Sequence, residues 1–235
     1  MKVVIISDIH GNFAALQAIE ENWDELWVIG DLVNYGPKPR EVIAWVRQHA
    51  HVVIRGNHDH AVGFATDPRC SPPYKPMAAE TGAFTASVLN EDEMAYLERL
   101  PLSVVRQQGS HTFYLCHATP SDPLFGYKDP DDRTWQEEVK STSADVVIVG
   151  HTHVPFIHEF EQQRLINPGS VGQPKTGTPD ACYGIWEDGQ LELRRYPYPV
   201  AQTESEIREL PISEEVKEDL IFALRTGGKL RWGGQ

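Results

Sequence analysis

At 235 residues the chain has room for one large domain or two small ones, and its 40% hydrophobic content, with six Trp, excludes a disordered or collagen-like polymer. A net charge of −13 with no cluster of Lys and Arg argues against a protein that grips nucleic acid through its phosphates. Three widely spaced cysteines, none in a CxxC pair, argue against both a disulfide framework and thiolate-bound zinc.

The opening "MKVVIISDIH" carries an apolar run too short for a signal-peptide core, and no later run reaches membrane-spanning length. A cytoplasmic protein without membrane association is expected. Residues 2–6 ("KVVII") read as a buried strand, followed by an amphipathic helix over about 12–22. "ELWVIG" is a second strand. A helix near 39–48 follows, opened by Pro39 at a first-turn position. "HVVIR" is the third strand. Strands alternating with helices predict α/β architecture with a largely parallel sheet.

The pattern then changes. A Pro-rich loop (66–76) leads to helices near 77–89 and 91–99, the second opened by a capping box of Asn90 and Glu93. A second set of strands is expected at about 103–107, 111–116, 145–149, 155–160, 164–166, 181–187 and 190–196. A helix near 131–140 interrupts it and another, near 213–225, closes the chain. Hairpin-like turns such as "EDGQ" make this half partly antiparallel. The whole chain, 1–235, is read as a single domain with a helical insertion at about 60–100.

Five polar clusters stand immediately after apolar strands: "SDIH" (7–10), "GDLVNYG" (30–36), "GNHD" (56–59), "CHA" (116–118) and "GHTH" (150–153). In α/β sheets ligands bind beyond the carboxyl ends of strands, so five strands would bring these groups to one rim. Asp8 and His10 are two apart, as are His151 and His153, so each pair can face one way if strand geometry persists. Mixed oxygen and nitrogen donors suit Mn²⁺, Fe, Co²⁺, Ni²⁺ or Zn²⁺ rather than Ca²⁺, and there are donors enough for two ions. His49, His51, His60, His111 and His158 have no such context and are read as structural.

The ordered set D-x-H, G-D, G-N-H-D, H, G-H-x-H resembles the calcineurin-like metallophosphoesterases, and the likeness extends into "INPGSVGQP" (166–174). Closest are the small single-domain prokaryotic phosphoesterases. The resemblance implies a four-layer α-β-β-α sandwich with two mixed sheets. It also implies that Asp8, His10 and His153 hold one metal, that Asn57, His117 and His151 hold a second, and that Asp31 bridges them. His58 would face the substrate. The implied reaction is hydrolysis of a small phosphodiester or phosphomonoester by a hydroxide activated between two divalent ions, foremost Mn²⁺, with His58 assisting the transition state or leaving group.

The second motif departs from the phosphoprotein-phosphatase branch, G-D-x-V-D-R-G, by carrying Asn34 and Tyr35 in place of Asp and Arg. The lost arginine clamp argues against phosphoprotein-phosphatase and diadenosine-tetraphosphatase activities. Asn34 can still accept a hydrogen bond from His58 through its amide oxygen, with a role in the turn before "YGP" as the alternative. Asp59 is read as orienting its loop or the imidazole, or as a simple turn carboxylate. A non-catalytic binding module, a nuclease, and a metal-storage or metal-sensing protein are the rival readings. The insertion and the loop 118–132 are expected to wall the site, with Phe64, Tyr74, Phe125 and Tyr127 as stacking candidates. A homo-oligomer is left open.

Overall fold

A computed structural model describes residues 1–231. In chain order it contains β1 (Lys2–Ile6), α1 (Phe13–Gln17), β2 (Glu25–Val28), α2 (Pro39–His49), β3 (Val52–Val53) and α3 (Asn57–Phe64). Then come α4 (Lys75–Val88), α5 (Glu91–Arg99), β4 (Ser103–Gln108), β5 (His111–Cys116), α6 (Trp135–Lys140) and β6 (Val146–Ile148). The chain continues through β7 (Phe156–Glu159), β8 (Arg164–Asn167), β9 (Ala181–Glu187), β10 (Gln190–Tyr196), α7 (Val200–Arg208) and α8 (Glu214–Thr226).

Two five-stranded mixed sheets result, ordered β10-β9-β1-β2-β3 and β4-β5-β6-β8-β7. Side chains alternate across each strand, so one apolar run serves two cores. Val3, Ile5, Trp27 and Ile29 from the first sheet meet Phe113, Leu115, Val146 and Ile148 from the second. The intervening residues Val4, Ile6, Leu26 and Val28 turn outward onto Leu16 of α1 and Val42, Ile43 and Val46 of α2. On the far side Val147 and Val149 meet Trp135 and Val139 of α6. Four layers, helix–sheet–sheet–helix, follow from that alternation.

Several boundaries differ from expectation. The helix predicted over 12–22 stops at Gln17. Beyond it Glu21 is drawn to the Lys2 ammonium (2.7 Å) and the Tyr183 hydroxyl (3.0 Å), which pins that segment across the strands. Likewise α6 begins only at Trp135, because Asp132 Oδ1 accepts the Thr134 N–H (2.8 Å) in a turn ahead of it. Strands β9 and β10 do not extend the second sheet. They return to the first, where β9 pairs antiparallel with β1. Helix α7 was not predicted from the sequence. The capping box at Asn90 forms as expected, with Asn90 Oδ1 accepting from Glu93 N and Glu93 Oε2 from Asn90 N.

Candidate metal centre and active site

Strands β1, β2 and β3 run parallel, as do β5, β6 and β8, and the polar clusters follow the carboxyl ends of β1, β2, β3, β5 and β6. The extended geometry invoked for the Asp-x-His and His-x-His pairs does not persist past the strands. Asp8, His10, Asp31, His151 and His153 all adopt left-handed backbone, with φ between 47° and 67°. Asn34 and Tyr35 do the same. Such residues cost of order 1–2 kcal/mol each and survive only where the surroundings dictate them. Here the loops brace one another: Asp8 N–H donates to Gly30 O (3.1 Å), and His10 N–H to Asp31 O (2.9 Å). The loop 168–173 adds support, with Ser170 Oγ donating to Asp8 O (2.7 Å).

"GNHD" is not a loop, as expected from the sequence, but the first turn of α3. Asp59 caps that turn by accepting the Gly56 N–H (2.9 Å), and its carboxylate also takes the N–H groups of Asp31 and Leu32, each at 2.8 Å. Of the roles considered for Asp59, these bonds match the first: it locks the Asp31 loop to α3. A side chain at Gly56 would overlap Asp31, so the close approach requires glycine there.

The predicted donors converge in two nests. Asp8, His10, Asp31 and His153 place ligand atoms within 4.8 Å of one another, and so do Asp31, His117 and His151. Asn57 completes the second nest, its Oδ1 lying 3.0 Å from His117 Nε2 and 3.0 Å from His151 Nδ1. The amide nitrogen donates to Pro68 O (2.7 Å), which fixes the oxygen inward. Asp31 belongs to both nests. Its Oδ1 accepts the His58 N–H (2.8 Å), while its Oδ2 lies 3.2 Å from His117 Nε2 and 3.7 Å from His10 Nε2.

This donor set fits cations. Among the described residues Asp8 Oδ1 is buried without a hydrogen-bond partner. His10 Nδ1 faces Val33 O (3.0 Å), and His153 Nδ1 faces Gln173 O (2.6 Å), so each proton sits on Nδ1. Burial brings the His10 pKa down to about 3 and holds that of His153 well below its ordinary value. Both rings are therefore neutral, and two bare Nε2 lone pairs confront each other at 3.1 Å. A shared cation resolves that repulsion. In the other nest, burial works to lower the His117 pKa, but the Asp31 charge and hydrogen bond carry it up to about 10.

His58 is not among these donors. It lines the adjoining cavity, and Asn34 Nδ2 lies 2.9 Å from its Nδ1. The two side chains touch, but through the amide nitrogen and not the oxygen that was expected to accept from the ring. In this orientation the amide donates to Nδ1 and leaves the imidazole proton on Nε2. Burial lowers the His58 pKa to about 4, so the ring is neutral near pH 7.

The cavity has a volume of about 650 Å³. Tyr74, Phe125 and Tyr127 line it as anticipated, whereas Phe64 lies outside, packed beside His60 and under the Arg55 guanidinium. Two cationic side chains that also line it, Arg69 and Lys175, are not singled out by the sequence. Nothing local marks them: one sits in a Pro-rich loop, the other two residues past "SVGQ". His49, His51 and His158 hydrogen-bond backbone away from the site. Among the described residues no helix is long and apolar enough to cross a membrane.

Comparison with known proteins gives a consistent picture. Residues 1–187 match the sequence profile described as the calcineurin-like phosphoesterase superfamily domain. The crystal structure of a metallophosphoesterase from Sphaerobacter thermophilus superposes with a TM-score of 0.83 at 29% identity, covering 97% of this chain and 99% of that one. Phosphodiesterase YfcE of Escherichia coli is 27% identical over 82% of this chain and 91% of its own length. A symmetrical bis(5′-nucleosyl)-tetraphosphatase of Psychromonas ingrahamii is 40% identical over 67 residues, 25% of this chain and 24% of that protein.

Proposed function

The chain belongs to the calcineurin-like phosphoesterase superfamily, a family of metal-dependent hydrolases, and from that premise we propose that it hydrolyses a small phosphodiester or phosphomonoester at a centre for two divalent cations. Asp8, His10 and His153 hold one cation, and Asn57, His117 and His151 hold the other. The observation that carries this reading is the position of Asp31 Oδ2, buried and shared between the two nests, 3.2 Å from His117 Nε2 and 3.7 Å from His10 Nε2. The mixture of imidazole, carboxylate and amide donors suits Mn²⁺ first, with Fe, Co²⁺, Ni²⁺ and Zn²⁺ as alternatives. Bound there, the cations would supply a nucleophile at neutral pH and neutralise charge on the phosphoryl group.

The chain's own residues account for the rest. The backbone carbonyls of Val33, Ile29 and Gln173 hold the Nδ1 protons of His10, His117 and His153, and so aim each Nε2 inward. Asn34 fixes the His58 tautomer, so that Nε2–H faces the cavity. From there it donates a hydrogen bond to the leaving oxygen as charge develops on it. A binding module or metal store has no use for an imidazole oriented in this way. The acidic surface and the three unpaired cysteines suit a reducing cytoplasm.

The direct test is hydrolysis of bis-p-nitrophenyl phosphate and p-nitrophenyl phosphate by protein loaded with Mn²⁺. Turnover of at least one ester, lost on chelation and restored by Mn²⁺, is expected. Turnover of neither, or turnover indifferent to chelation, would overturn the reading.

A further inference from the structure

The cavity beside the centre is larger than a phosphoryl group needs. At about 650 Å³ it falls among sites that enclose a whole organic ligand. Two cations from distant parts of the chain reach its wall, Arg69 and Lys175. Each rests on an aromatic ring: the Lys175 ammonium lies 4.4 Å from the centre of Tyr74, and the Arg69 guanidinium 4.2 Å from that of Phe125. Among the described residues, neither has a carboxylate within ion-pair distance. Elsewhere acid is plentiful, and Arg40, Arg47, Arg106 and Arg225 are each paired with a carboxylate. A ring holds a cation in place without an opposing charge, so neither side chain is committed to an ion pair.

The two cations are not equivalent. Lys175 N–H donates to His153 O (3.3 Å), which places it at the centre end of the cavity. Arg69 belongs to the outer loop, where its own N–H donates to Asp67 Oδ1 (2.7 Å) and φ is 58°. Tyr127, 63% exposed and with its ring 5.9 Å from that of His151, adds a planar surface at the mouth.

We propose that the cavity selects an ester with a planar ring and a second phosphate, the scissile phosphate being held by Lys175 and the second by the Arg69 guanidinium. Arginine is suited to this, since its fork matches phosphate geometry and stacks on a ring at the same time. The proposal rests on the phosphoesterase reading above and narrows its substrate class.

The test measures binding rather than turnover. Calorimetry on Mn²⁺-loaded His58→Ala protein, chosen to slow hydrolysis, compares adenosine 3′,5′-bisphosphate with adenosine 5′-monophosphate. The bisphosphate binds at least about tenfold tighter, as expected for one added charged hydrogen bond. Adding Arg69→Ala brings that ratio close to one, and Arg69→Lys, which keeps the charge but not the fork, restores part of it. Adding Lys175→Ala weakens both ligands alike. Equal affinities in the parent, or a ratio unmoved by Arg69→Ala, would overturn the assignment. Failure of the phosphoesterase reading shows separately, as native protein that keeps the binding preference but hydrolyses neither nitrophenyl ester.

Discussion

Replacing Asp59 should damage the protein in two graded steps. Its carboxylate is fully buried and accepts three backbone N–H groups, those of Asp31 and Gly56 on Oδ2 and that of Leu32 on Oδ1. Asp59→Ala orphans all three. At about 1–3 kcal/mol per buried unsatisfied donor, the loss is about 3–9 kcal/mol. That is a large share of the roughly 5–15 kcal/mol that keeps a domain folded. Asp59→Asn keeps the shape. With its oxygen in the Oδ2 position it still serves Asp31 and Gly56, and only Leu32 meets an amide nitrogen, a loss of about 1–3 kcal/mol. Urea unfolding of the two variants and the native chain reads the difference as ordered shifts in midpoint. Because the same bonds fix the backbone of Asp31, Asp59→Asn should also bind Mn²⁺ more weakly than native protein. An Asp59→Asn variant within about 0.5 kcal/mol of native, or an Asp59→Ala variant no worse than Asp59→Asn, would refute the reasoning.

Three further outcomes are expected. His58→Ala should keep its metal and fold while kcat falls about 10²–10⁴-fold, most steeply for alkyl esters, whose leaving groups need the hydrogen bond most; full activity on an alkyl ester would exclude the role. Asn34→Ala should lower kcat with metal content unchanged, because the ring it holds at 2.9 Å loses its tautomer lock; combined with His58→Ala it should add nothing further, and an additive loss would place Asn34 elsewhere. Since the Asp31 carboxylate carries the His117 pKa up to about 10, that ring is charged at pH 8 and must lose its proton to ligate a cation. Affinity for Mn²⁺ should therefore rise with pH below 10, and calorimetry at pH 8 in buffers of different ionisation enthalpy should show about one proton released per chain. Release of none would contradict the assignment.

The rim was legible because its signal is local. A polar cluster directly after an apolar strand says where its side chains go, whatever the rest of the fold does. Asp8, His10, Asp31, Asn57, His117, His151 and His153 were all found that way, and the two-sheet sandwich followed from strand alternation. The backbone that aims them was not legible. Left-handed φ at Asp8, His10, His151 and His153 is imposed by bonds such as His10 N–H to Asp31 O, and no residue spacing encodes those. Asn57–Asp59 read as a loop because the cap of α3 is a carboxylate at its third position, shared with another strand's loop. The return of β9 and β10 to the first sheet is hidden for a similar reason: each strand is visible in sequence, but its partner is not. Arg69 and Lys175 stayed hidden because only tertiary structure brings them to one cavity.

Whether Asp31 joins two cation sites is measured by elemental analysis of protein loaded with Mn²⁺ and freed of excess metal. About two ions per chain are expected, with loss of both in Asp31→Asn, whose amide brings no charge to share between the nests. One ion per chain, unchanged by Asp31→Asn, would contradict the bridge.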